Sequence, residues 1–296
     1  WSRGRYRPIN NGSIYMNYID IDSDNTTFSS SSADLSLPDC SNVVFAGLYW
    51  AGIYPYDEWG GTQIASTDER IKDIKFKLPG GNYVDISADE VVYNDGSTDQ
   101  RPYVCYKDIT SMVQGLGANA DGTYTAANIR AVTGRDDDNG LGGAAGWTMF
   151  IIYGNNNESS KNISLYDGFS TIDGNNDVDL NFKGFKTIPV GEVKAELIVA
   201  ALEGDNYIDG DNYQILDKSN DYVNVSNTLS PVDNFFNGSI SAFNAKFDVN
   251  NDPDKVEIDF IESKVSDHSG IEAISNLIEK YEAKNKTLIL KHLFAK

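Results

Sequence analysis

Short apolar runs rich in β-branched and aromatic residues punctuate this chain, each closed by turn formers. The clearest are Val43–Gly52, Trp147–Tyr153 and Glu192–Asp205. Gly, Asn, Asp, Ser and Thr fill the stretches between them, which predicts strands rather than helices. The same pattern places strands at Ser13–Ile21, Asn42–Gly52, Ile71–Leu78, Tyr83–Ser87, Glu90–Tyr93, Tyr103–Asp108, Gly122–Val132, Trp147–Tyr153, Asn162–Tyr166, Val193–Glu203 and Tyr222–Val225. Pro79-Gly80-Gly81-Asn82 predicts a turn. Gly115–Asp121 and Asp136–Gly146 predict loops, and Ile109–Gln114 a single helical turn. The expected fold is mainly β: a β-sandwich or jelly-roll-like domain with long loops over residues 1–240.

Residues 241–296 have a different period. Val256–Ile261 predicts a buried strand. Ile271, Ile274, Leu277, Ile278 and Tyr281 recur at helical spacing, and Thr287–Leu293 alternates again. This is a β-α-β unit, whose crossover helix requires the two strands to pair in parallel.

The net charge of −20 argues against a nucleic-acid partner, because phosphate neutralisation needs Lys and Arg. It also disfavours anionic lipid. No apolar run is long enough to cross a bilayer, so membrane insertion is not expected. Trp1–Arg5 has no apolar signal core, so an exported form would place residue 1 after a cleavage point or other boundary. The charge is uneven. Residues 241–296 hold eight Lys and ten Asp or Glu. Residues 1–240 keep 16 basic and 34 acidic residues, a net of −18. Such an acidic surface suits a soluble, cation-rich, extracellular setting.

Several stretches carry a family resemblance. They are Tyr18–Asp22 with Thr27–Ala33, Val43–Gly52 with Tyr54-Pro55-Tyr56, Lys75–Gly81, Pro102–Asp108, Gly122–Ile129, Ala145–Trp147, Tyr166–Phe169, Ile188–Gly191 and Asn234–Asn237. In order and spacing, residues 15–240 resemble the N-terminal region of the very large surface proteins and adhesins of gliding and non-gliding Bacteroidota, exported by the type IX secretion system. The resemblance implies an exported, non-enzymatic, β-rich protein at the cell surface or outside the cell. Its partners would be surface glycans, other surface proteins, further domains of one giant chain, or other copies in a filament. The tail instead resembles the middle of a STAS domain of sulfate-permease-type transporters, through Phe260, Asp267–Gly270 and Lys291-His292-Leu293. A fused segment, a misassigned sequence and a chance likeness all fit that observation, and no transporter function is carried over. Ser269 stands where some STAS regulators are phosphorylated, and equally where a helix N-cap would precede Ile271.

Cys40 and Cys105 have no metal-site spacing. They form one disulfide or are two unrelated thiols. The family resemblance, in which both fall at cysteine positions, favours the disulfide.

Calcium is the expected cofactor. Asp20, Asp22 and Asp24 alternate as in a calcium loop, but Gly is missing at the sixth position and Ser31 stands where Glu would close it. Asp136 and Asp138, Asp173 and Asp177, and Asp205, Asp209 and Asp211 lie in further oxygen-rich loops, each of which also reads as a solvated turn. A bound cation would relieve carboxylate repulsion and raise the melting point of residues 1–240.

Tyr54, Tyr56 and Trp59 follow Tyr49 and Trp50 closely, and their rings could stack on sugar faces beside Asp57 and Glu58. The competing expectation is that Tyr49 and Trp50 are core and the others cover a sheet edge. Both histidines, His268 and His292, fall in the tail. A Ser-His-Asp triad or a histidine zinc site within 1–240 is therefore excluded. Carboxylate pairs for glycoside hydrolysis remain open. The sequence thus predicts a non-enzymatic adhesin or filament domain. A carbohydrate-binding module of a secreted polysaccharide-degrading enzyme is the alternative.

Overall fold

The computed structural model describes residues 14–65, 67–93, 101–135, 143–170, 177–187, 190, 196–202, 204–205, 208–217, 219–227, 230–238, 255–259 and 277–291. The chain divides into two compact units, Ile9–Leu202 and a second containing Glu203–Lys296.

The first unit is sandwich-like and mainly β. Its strands are β1 (Ser30–Leu35), β2 (Asn42–Ile53), β3 (Asp73–Lys77), β4 (Tyr83–Ser87), β5 (Glu90–Tyr93), β6 (Pro102–Asp108), β7 (Gly122–Ala127) and β8 (Ala145–Gly154). They form two antiparallel four-stranded sheets, ordered β1-β7-β3-β4 and β5-β6-β2-β8. Side-chain alternation explains why one core serves both sheets. From the first sheet Ile74, Phe76, Ile86, Tyr124 and Ala126 are buried. From the second come Ala46, Leu48, Trp50, Tyr103 and Cys105. Phe76 on β3 meets Trp147 on β8 edge-to-face, centroids 6.2 Å apart, and Trp147 Nε1 donates to Ser31 Oγ on β1. Trp50 lies at the centre with no exposed surface, its Nε1 donating to the Ile71 carbonyl at 2.9 Å. The short helix α1 (Thr110–Gln114) closes one end, pinned by Ile109 N to the Ala46 carbonyl and by Ala46 N to Thr110 Oγ1.

The predicted strands at Tyr83–Ser87, Glu90–Tyr93 and Tyr222–Val225 have these bounds in the structure, and those at Asn42, Ile71, Tyr103 and Trp147 shift by one or two residues. Gly122–Val132 is shorter than expected. It ends at Ala127 because Asn128 adopts φ +65° and turns the chain. Three expectations fail. Ser13–Ile21 supplies only an isolated bridge, Met16 to Gly134, among its described residues. Asn162–Tyr166 and the described part of Val193–Glu203 form no strand. Alternation marks a chain that could pair, but a strand exists only where a partner edge is present. Around Asn162 the contacts are irregular instead: Lys186 N donates to Asn162 Oδ1, and the Tyr166 and Phe182 rings lie 4.7 Å apart.

In the second unit β9 (Tyr213–Leu216) and β10 (Tyr222–Val225) form a hairpin. Asp217 organises its turn, accepting from the amides of Ser219 and Asp221, and Asn220 supplies φ +67°. β11 (Lys255–Asp259) and β12 (Thr287–Lys291) pair in parallel, as the β-α-β reading requires. Residues 277–282 are helical and Tyr281 is buried. The rest of the predicted Ile271–Tyr281 helix, like His268 and Ser269, lies outside the described residues.

The expected disulfide is absent. Cys105 is in the core, its Sγ 3.4 Å from the Ile71 carbonyl, whereas Cys40 is exposed in the turn before β2. Cys105 is paired with Trp50, eight residues along β2 from Asn42. At about 3.3 Å per residue that is about 26 Å, against the roughly 7 Å between Cα atoms that a disulfide can span. Burial pushes the Cys105 thiol up to about 12, so it holds little nucleophilic thiolate. Iodoacetamide without reductant should label the folded chain once, at Cys40. A second label should need denaturant. An unlabelled native chain that accepts two labels after reduction would restore the disulfide.

Candidate functional site

Three places in the fold gather chemistry-bearing side chains. The first is the acidic stretch before β1. Asp20, Asp22 and Asp24 are each engaged by nearby donors. Ser30 Oγ donates to Asp20 Oδ1 at 2.6 Å and accepts from Ile21 N at 2.9 Å. Asp22 accepts from Asp24 N, from Thr27 Oγ1 and from the Tyr83 hydroxyl on β4. Asp24 Oδ1 accepts from Thr26 N and Thr26 Oγ1. Among the described residues, no group of three or more His, Cys, Asp or Glu is arranged to hold a metal.

This network should act as a pH-sensitive fastener. The Tyr83 hydroxyl holds the Asp22 carboxyl below the ordinary aspartate range. Burial first, and the bond to Asp22 next, push the Tyr83 phenol up. A depressed carboxyl stabilises the fold above its unfolded value of about 3.9 and loses that contribution as pH falls through the folded value. Amide exchange at Asp24 and Thr27 should therefore accelerate below about pH 4. In Tyr83→Phe the acceleration should begin at higher pH. An unchanged profile in that variant would dismiss the fastener.

The second place is the aromatic loop following β2. Tyr54 is only 3 % exposed and belongs to the core. Its hydroxyl donates to Asp57, and burial together with that bond pushes it up to about 12. Tyr56 and Trp59 are half-buried, with ring centroids 5.4 Å apart, and Asp57 and Glu58 beside them are exposed. Backbone bridges hold the loop: Tyr56 pairs with Gln63, Glu58 with Thr133, and Trp59 N donates to the Thr133 carbonyl. The Tyr15 hydroxyl reaches Glu58 Oε1 at 2.6 Å. The loop therefore presents two rings, two carboxylates and a phenol on a braced backbone.

The third place was not legible in sequence. Phe28, Arg70, Lys75, Asp85 and Arg130 line a shallow cleft of about 230 Å³. The Arg130 guanidinium lies 5.1 Å from the Phe28 ring centroid. Lys75 pairs with Asp85 at 2.8 Å, and Arg70 with Asp68 at 2.8 Å. Phe28 and Arg130 are far from Arg70 and Lys75 in the chain. They meet because β7 carries Ala127 opposite both Ser30 and Lys75, a register that sequence does not reveal.

Of the remaining acidic residues, Asp136, Asp138 and Asp173 lie outside the described residues, and Asp177 is exposed. In the second unit Asp211 forms a parallel bridge with Asn234. Asp211 Oδ2 accepts from Phe236 N at 2.6 Å, and Asn234 Nδ2 donates to Asp209 Oδ1 at 3.3 Å. Asp205 begins the same loop, its carbonyl accepting from Ile208 N.

No protein-family model, curated protein or solved structure matches this chain.

Proposed function

We propose that this chain is a non-enzymatic domain of an extracellular or cell-surface adhesin or filament, used for display or for attachment to surfaces and their glycans. The observation supporting it most is where the family-like stretches fall. Val43–Gly52, Pro102–Asp108, Gly122–Ile129 and Ala145–Trp147 coincide with β2, β6, β7 and the start of β8, and the first three of these strands bring Ala46, Leu48, Trp50, Tyr103, Cys105, Tyr124 and Ala126 to the core. A resemblance seated in the core speaks for the scaffold, and a scaffold alone does not name a ligand. The acidic charge and the braced, outward-facing loops suit a display role. Type IX export and a part in gliding or surface attachment belong to the same proposal.

The alternative, a carbohydrate-binding module of a secreted polysaccharide-degrading enzyme, draws on the Tyr56–Trp59 pair with its adjoining carboxylates. One experiment separates the two. Beads coated with the chain are scored for adhesion to cell and polysaccharide surfaces, and the soluble chain is probed on a glycan array. Broad adhesion that survives Trp59→Ala is the expected result. Sharp affinity for one polysaccharide, lost in that variant, would favour the module. Neither adhesion nor glycan binding would overturn both.

A further inference from the structure

We propose that the outer edge of β8 accepts the apolar segment Glu196–Leu202 of a second copy as an added strand, so that copies join head to tail. β8 ends its sheet, paired with β2 on one side and with no strand on the other among the described residues. Alternate N–H and C=O groups along such an edge point away from the sheet and can template another strand. The first unit has three other sheet edges. β1, β4 and β5 are four to six residues long and carry Asp34, Asp85 and Glu90. Short length and charge keep an edge from pairing. β8 has neither protection. It runs for ten residues, Ala145–Gly154, without a charge or a proline.

β8 is also incompletely covered. Trp147, Met149 and Ile151 pack against the core, yet each stays half-buried. On the opposite face Phe150 and Ile152 are half-buried too. A strand that completes this edge must therefore be apolar on both faces. Glu196–Leu202 has that pattern. When extended, it turns Leu197, Val199 and Ala201 to one side and Ile198, Ala200 and Leu202 to the other. The segment forms no strand, and Leu197, Ile198 and Val199 are 54 %, 48 % and 42 % exposed. Its extended length of about 23 Å fits within the longer β8. Within one chain the two do not pair. Edge and segment are different surfaces of one molecule, so their contact repeats from copy to copy into a ring or a filament. This contact deepens the filament part of the reading above and is independent of adhesion.

Sedimentation velocity on the full chain tests the contact. The average mass of the wild type should rise with concentration past that of a dimer. Ile198→Lys combined with Val199→Lys charges the segment and should leave the chain monomeric. These side chains are exposed, so the core is untouched. Thr148→Lys combined with Ile152→Lys charges the β8 edge and should have the same effect. Mixing the two variants should restore one contact, the intact segment of the edge variant on the intact edge of the segment variant. The mixture should therefore stop at a dimer. A monomeric wild type would overturn the proposal, and so would a mixture that stays monomeric. Association lost only in the edge variant, with a plateau at dimer mass, would overturn it in favour of two β8 edges pairing with each other. Association kept by both variants would place the interface elsewhere. A monomeric chain whose coated beads still adhere would overturn this contact and leave the adhesin reading standing. A self-associating chain that adheres to nothing would do the reverse.

Discussion

Trp50→Ala is expected to lower the unfolding free energy of the sandwich by about 4 kcal/mol, the middle of the range for deleting a large buried aromatic. Trp50 is the largest fully buried side chain, and it sits on the inner face of β2, the strand paired with both β6 and β8. Its removal leaves a cavity between the two sheets and withdraws the indole N–H from the Ile71 carbonyl. That carbonyl keeps its weaker contact with the Cys105 thiol, so the cavity dominates the loss. Most domains hold only about 5–15 kcal/mol in total, so the variant should be close to unfolding at room temperature. Trp50→Phe separates the two causes. It keeps most of the volume and loses the hydrogen bond, and should cost about half as much. Urea denaturation followed by circular dichroism measures both. A Trp50→Ala midpoint within error of wild type would mean that Trp50 is not central to the core.

The legible parts of this fold were those where one strand carries its own burial pattern. In β2 the near-continuous apolar run Val43–Ala51 announces a buried strand without help from any partner. β1 is the counterexample. Ser30–Leu35 has little apolar content, and it becomes a strand because β7 offers it an edge, Ser31 facing Ala126 and Ala33 facing Tyr124. The Val193–Glu203 run fails in the opposite way. Leu197, Ile198 and Val199 look like a strand, yet they are exposed and form no strand among the described residues. Such a segment is the kind that pairs when an edge is supplied.

The candidate chemistry divided along the same line. Asp209 and Asp211 could be picked out as oxygen donors from local spacing. The contact of Asn234 with Asp209 could not, because only the bridge to Asp211 brings it there. Tyr54 is the reverse case: its sequence neighbourhood suggested a displayed ring, but it lies on the continuation of β2 and turns into the core. The cysteines show the limit of argument by family. The resemblance led to the expectation of a disulfide, but the register of β2 and β6 keeps the two cysteines apart.

Gly52→Ala should destabilise the first unit by about 2–3 kcal/mol, from overpacking and a weakened buried hydrogen bond. A methyl at Gly52 would stand 2.6 Å from the Arg130 carbonyl oxygen and 3.1 Å from the Tyr103 ring. Neither neighbour can retreat freely. Tyr103 is fully enclosed and donates its hydroxyl to that same carbonyl at 2.7 Å. The Arg130 segment is tied down by Val132 N to the Ile53 carbonyl and by Ala131 N to the Tyr18 hydroxyl. The entropy saved by replacing glycine offsets under about 1 kcal/mol of this. The strain should travel to the aromatic loop, because Thr133 and Gly134 bridge to Glu58 and Met16. Gly146→Ala is the control. Gly146 faces Ala51, the residue before Gly52, across the ladder, yet a methyl there meets nothing within 4 Å. Chemical denaturation should separate the two variants clearly, and exchange at the Trp59 amide should quicken only in Gly52→Ala. Equal stability of the two would show that the segment around Arg130 yields without cost, and that the loop is not braced through it.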